Sequence, residues 1–97
     1  LITSGVAYEE NLENVEVVVK DTLQQLLSVS ENVANNSQPR FGFEEFGDSN
    51  INFWIFMQAK DWAASFQLKS EIIKAVHSSF AQKGITINYP TRRIIKD

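Results

Sequence analysis

The spacing of apolar residues switches repeatedly along this chain, and that alternation restricts the possible folds more than any other feature. Leu12, Val15, Val19, Leu23, Leu26 and Leu27 recur at three- and four-residue steps, which places them on one face of a helix. Asn11 precedes them as an N-cap, and Glu13 and Glu16 occupy the first turns, where the helix dipole favours negative charge. A second helical stretch begins after Asp61, another capping residue. Trp62, Phe66, Ile72, Ile73, Val76 and Phe80 are its expected buried stripe, and Gly84 after Lys83 is its stop.

The segments around these helices follow a different period. Residues 1–8 alternate and are rich in β-formers. Residues 40–46 and 50–59 form two β-runs joined by Gly47-Asp48-Ser49-Asn50, a hairpin turn. In the second run Ile51, Phe53, Ile55 and Met57 share one face, while Asn52, Trp54, Phe56 and Gln58 share the other. Residues 30–39 read as a polar loop. Ile85-Thr86-Ile87-Asn88-Tyr89 reads as a last strand ended by Pro90, and Thr91–Asp97 as a tail. The order β-α-β-β-α-β predicts an α+β, ferredoxin-like domain: a four-stranded antiparallel sheet with both helices on one face.

Composition narrows the function. At 97 residues the chain fits a single domain spanning 1–97. It has no cysteine, so disulfides, thiolate metal sites and thiol nucleophiles are excluded. The net charge of −3 argues against a nucleic-acid role, which needs a concentrated basic patch. No apolar run reaches the roughly 20 residues of a membrane span. The first residue is not Met and no secretory leader pattern is visible, so a fragment of a longer protein is expected.

No catalytic, cofactor or metal constellation emerges. His77 is the only histidine and is read as a packed or surface residue rather than a base or ligand. Glu44, Glu45 and Asp48 are read as solvated hairpin charges that discourage edge pairing, with Asp48 bonding inside its own turn. Arg40, Arg92 and Arg93 are too scattered to make an anion site. Trp54 and Phe56, on the sheet face opposite the helices, suit either base stacking or a protein interface. The absence of Lys and Arg in that strand favours the interface. Tyr89, Arg92, Arg93 and Ile94 join them as candidate contact residues.

The stretch Phe43-Glu44-Glu45-Phe46-Gly47-Asp48-Ser49-Asn50-Ile51-Asn52-Phe53 resembles a signature of the small-conductance mechanosensitive channel family, with Phe46, Gly47, Asp48, Ser49 and Asn52 as its key positions. Gly5-Val6-Ala7-Tyr8, Gln38-Pro39-Arg40-Phe41 and Gly84–Arg92 resemble flanking segments of the same C-terminal domain. Asn88 and Thr91 depart from its usual Pro and Gln. The resemblance implies a cytoplasmic vestibule domain of a membrane channel that releases ions and solutes on hypoosmotic shock. Seven copies would assemble, with membrane spans upstream of this segment and no catalytic residues or cofactor. The competing reading is a soluble ferredoxin-like regulatory or small-ligand-binding module. An acylphosphatase-type enzyme is disfavoured, since Ala7–Asn11 offers neither the Gly nor the Arg of a phosphate cradle.

Overall fold

The computed structural model describes residues 1–88. The elements are β1 (Ile2–Ala7), α1 (Leu12–Val29), β2 (Arg40–Phe46), β3 (Asn50–Phe56) and α2 (Trp62–Lys83). Both expected caps form: Asn11 Oδ1 accepts from the Asn14 N–H at 3.0 Å, and Asp61 Oδ1 from the Ala64 N–H at 2.7 Å. These bonds satisfy amide donors that the first helical turn leaves open. Gly84 ends α2 at φ 70°, a left-handed conformation that costs a side-chain-bearing residue more than glycine.

The strands pair antiparallel in the order β1-β3-β2. Register carries the alternation across the sheet. Ile2, Ile55 and Phe41 fall in one row, Phe53 and Phe43 in the next, and Val6 and Ile51 at the far end. That face meets both helices. Val15, Val19 and Leu23 of α1 and Leu68, Ile72 and Phe80 of α2 join Val6, Phe53 and Ile55 in one buried cluster. Phe53 is its centre, 1% exposed, with its ring tilted against Phe41 and edge-on to Phe80. The helices also meet each other through Thr22, whose hydroxyl lies 2.7 Å from both Val18 O and Ser79 Oγ.

The polar loop after α1 follows the end of the hairpin. Its Ala34 N–H donates to Gln58 O, and the Lys60 N–H returns a bond to Asn32 O. The Glu71 carboxylate on α2 accepts from Ser30 Oγ at 2.6 Å and Asn32 Nδ2 at 3.1 Å, which holds the loop to the helix.

Two expectations change. First, the ferredoxin-like fourth strand does not appear among the described residues, where the sheet has three strands. The Ala7 N–H donates to Thr86 O at 2.9 Å, but the next rung is missing. Asn88 turns instead to the Asn50 side chain, which engages both its N–H and its C=O at 2.9 and 2.8 Å. A side-chain amide here occupies the backbone groups a sheet partner would need. Second, α2 buries only part of the expected stripe: Ile72 and Phe80 are in the core and Val76 packs against it, but the other expected members do not. Ala64, Leu68, Ile72 and Phe80 face the core, whereas Trp62, Phe66 and Ile73 are exposed. The helix carries more apolar residues than one face can hold, and the line of four-residue steps from Ala64 to Phe80 takes the core side.

Candidate functional site

The hairpin turn is where separate parts of the chain meet. The Gly47 N–H donates to Asn50 O at 2.8 Å, closing the turn between β2 and β3. The Tyr8 hydroxyl donates to Gly47 O, and the Tyr8 ring lies parallel to Phe46, centroids 6.2 Å apart. Asn88 Nδ2 donates to Ser49 O at 3.1 Å. Glu10 accepts from the Thr86 N–H at 2.8 Å. The exit of β1, the hairpin tip and the segment after α2 are thus joined at one end of the sheet.

Asn52 sits beside this junction on the face away from the helices. Its Nδ2 lies 3.4 Å from Glu45 Oε2. A Cβ on Gly47 would come within 2.9 Å of Asn52 Nδ2 and 3.0 Å of Asn50 O, so the tip closes this tightly only with glycine there. Four of the five signature positions, Phe46, Gly47, Ser49 and Asn52, have an assigned structural partner. The fifth does not: among the described residues the Asp48 carboxylate makes no hydrogen bond, contrary to the expected bond within its turn.

Trp54 packs within its own sheet. Its indole crosses Gly42 on β2 so closely that a Cβ there would stand 2.8 Å from Cζ2. Phe56 is 41% exposed at the end of β3, opposite Arg40. Glu44 is the extra residue of a bulge between Phe43 and Glu45, and bulges turn an edge strand away from further pairing. Tyr89, Arg92, Arg93 and Ile94 lie outside the described residues.

Sequence reasoning missed three contributors. Asn50 reads as a turn residue, and nothing local shows that its amide reaches Asn88. Tyr8 reads as the end of a strand, although its place in the Gly5-Val6-Ala7-Tyr8 resemblance was a signal. The third is a groove of about 460 Å³ between β1 and α2, where Leu1, Ile2, Ile73, His77 and Ile87 form the rim over Ile55 and Ile72. It is apolar, with Lys69 and His77 as its charged or titratable groups. Among the described residues no three His, Asp or Glu side chains converge on a point that could hold a metal ion. No described helix is long and apolar enough to cross a membrane.

The hairpin tip is thus held by segments remote in the chain. The family model described as "Mechanosensitive ion channel MscS, C-terminal" matches residues 1–87. The chain belongs to the MscS mechanosensitive channel family.

Among curated relatives, an uncharacterised MscS family protein from Synechocystis is 27% identical over 92 residues, covering 93% of this chain and 29% of that protein. A small-conductance mechanosensitive channel from Helicobacter pylori is 29% identical over 86 residues, covering 88% of this chain and 30% of that protein. This MscS domain therefore spans about three-tenths of the length of the relatives it matches. Its family is one of channels and not of enzymes.

Proposed function

We propose that this domain is the cytoplasmic vestibule and assembly domain of a mechanosensitive channel that releases ions and solutes when the cell meets hypoosmotic shock. The observation that carries this reading is the family match over residues 1–87. The geometry supports it: a rigid core, a hairpin tip that joins three segments, and apolar side chains left on the outside are what a wall element of an oligomer needs.

In this reading identical copies, seven by the family resemblance, surround a water-filled vestibule at the cytoplasmic face of the cell membrane. The membrane is crossed by helices elsewhere in the polypeptide. Phe56, Tyr89, Arg92, Arg93 and Ile94 contact neighbouring copies. Trp54 supports the sheet face from which such contacts are made. In the assembled channel Ile85–Tyr89 completes the ferredoxin-like sheet as a fourth strand along β1, continuing the single Ala7–Thr86 rung.

The test is expression of the complete polypeptide in bacteria lacking their own mechanosensitive channels. Survival of osmotic downshock and tension-gated currents in excised patches are the expected results. A complete polypeptide with no membrane-spanning helix, or one inserted in the membrane without tension-gated current, would overturn the reading.

A further inference from the structure

The two outer flanks of the helical layer are unlike each other in a way that suits repetition around a ring. Beyond the β1 edge, α2 presents Trp62, Phe66, Lys69, Ile73 and His77, one residue per turn along a single line. Trp62 is 79% exposed, Phe66 58% and Ile73 49%. Trp62 and Phe66 are edge-on at 4.9 Å, so the apolar surface is continuous rather than scattered. The groove over β1 borders it and adds Leu1, Ile2 and Ile87. A surface of this kind on a small domain marks a contact site.

The opposite flank is formed by α1, which packs on the β2 side of the sheet. Residues 9–31 hold six carboxylates against one lysine, net −5. That lysine, Lys20, is already paired with Glu16 at 2.8 Å. Val17 is 56% exposed, with Glu13 one turn before it and Asp21 one turn after. Residues 60–84 hold four lysines against two carboxylates, net +2. One of those carboxylates caps α2 and the other holds the loop after α1. Lys20–Glu16 is the only ion pair among the described residues, and among them the α2 lysines have no carboxylate partner.

A ring of more than two copies needs two different surfaces that fit each other, because head-to-tail contacts are the ones that close by rotation. We propose that the α2 flank of one copy receives the α1 flank of the next. The exposed Val17 enters the apolar line between Phe66 and Ile73, and Glu13 and Asp21 face Lys69 and Lys74. The occupant is a second copy of this chain, chosen by charge complementarity: an acidic flank and a basic, apolar flank lie on opposite sides of one small domain. This inference rests on the channel reading above, because it supplies the contact by which that oligomer closes.

The test uses the complete polypeptide in membranes, with any cysteines outside this segment replaced by serine. The double variant Val17→Cys/Ile73→Cys is treated with a mild oxidant and run on a non-reducing gel. A ladder of covalent multimers is expected from the double variant, with only monomer from either single variant. Lys69→Glu/Lys74→Glu in that background should cut the ladder at least fivefold, and Glu13→Lys/Asp21→Lys should restore it. Dimers from Ile73→Cys alone would show α2 meeting itself and overturn the proposal. So would a polypeptide that native mass spectrometry shows to be oligomeric but that gives no ladder, in which case the channel reading survives. A monomeric complete polypeptide would remove both.

Discussion

The two helices carry the same kind of N-cap but use their apolar residues differently. In α1 the stripe from Leu12 to Leu27 is buried or half-buried, and Val17 and Val29 alone among its large apolar side chains are exposed. In α2 the core takes Ala64, Leu68, Ile72 and Phe80, while Trp62, Phe66 and Ile73 remain in water. The number of apolar residues in a helix therefore does not state how much of it the fold needs. The core of three strands and two helices is filled from α1 and one line of α2, and the second line of α2 is free for another role.

This contrast can be broken by mutation. Phe53→Ala should have the largest effect, about 3–5 kcal/mol, because it empties the centre of the cluster. Leu23→Ala on the buried side of α1 should follow at about 2–5 kcal/mol. Trp62→Ala and Phe66→Ser on the outer line of α2 should each stay within about 0.5 kcal/mol, as surface changes do. Urea denaturation measures all four, and a loss above 2 kcal/mol at Phe66 would show that the outer line belongs to the core.

Gly42→Val should cost about 1–3 kcal/mol, since the new side chain meets the Trp54 indole. In the background of Trp54→Ala most of that cost should vanish, and a double-mutant cycle reads the coupling. Asn11→Ala and Asp61→Ala should each lose about 1 kcal/mol, comparably if the two caps are equivalent. The smallest global effect belongs to Asn50→Ala. It removes both bonds to the Asn88 backbone in an exposed region, and amide hydrogen exchange at Asn88 should accelerate while the core amides keep their protection.

Features set by neighbours in the chain were legible. Asn11, Asp61 and Gly84 mark the helix ends by local chemistry, and the Gly47-Asp48-Ser49 turn follows from two β-runs of opposite direction around it. The core positions Phe53 and Ile55 follow from alternation, and those of α1 from its single stripe. The junction at the hairpin tip was not legible as a junction. The bonds from Tyr8 to Gly47 and from Asn50 to Asn88 join residues far apart in the chain, and neither the spacing nor the type of those residues names the partner.

The sequence alone determined the element order through Gly84, the helix boundaries to within a residue, and which face of β3 turns inward. Those depend on caps, turns and periodicity, which act over a few residues. Only the tertiary structure decided which line of α2 is buried, that Trp54 lies over Gly42, and that Asn88 bonds Asn50 where a fourth strand was expected. Each depends on competition between surfaces for a limited amount of cover, and that competition is settled only when the helices and the sheet are brought together.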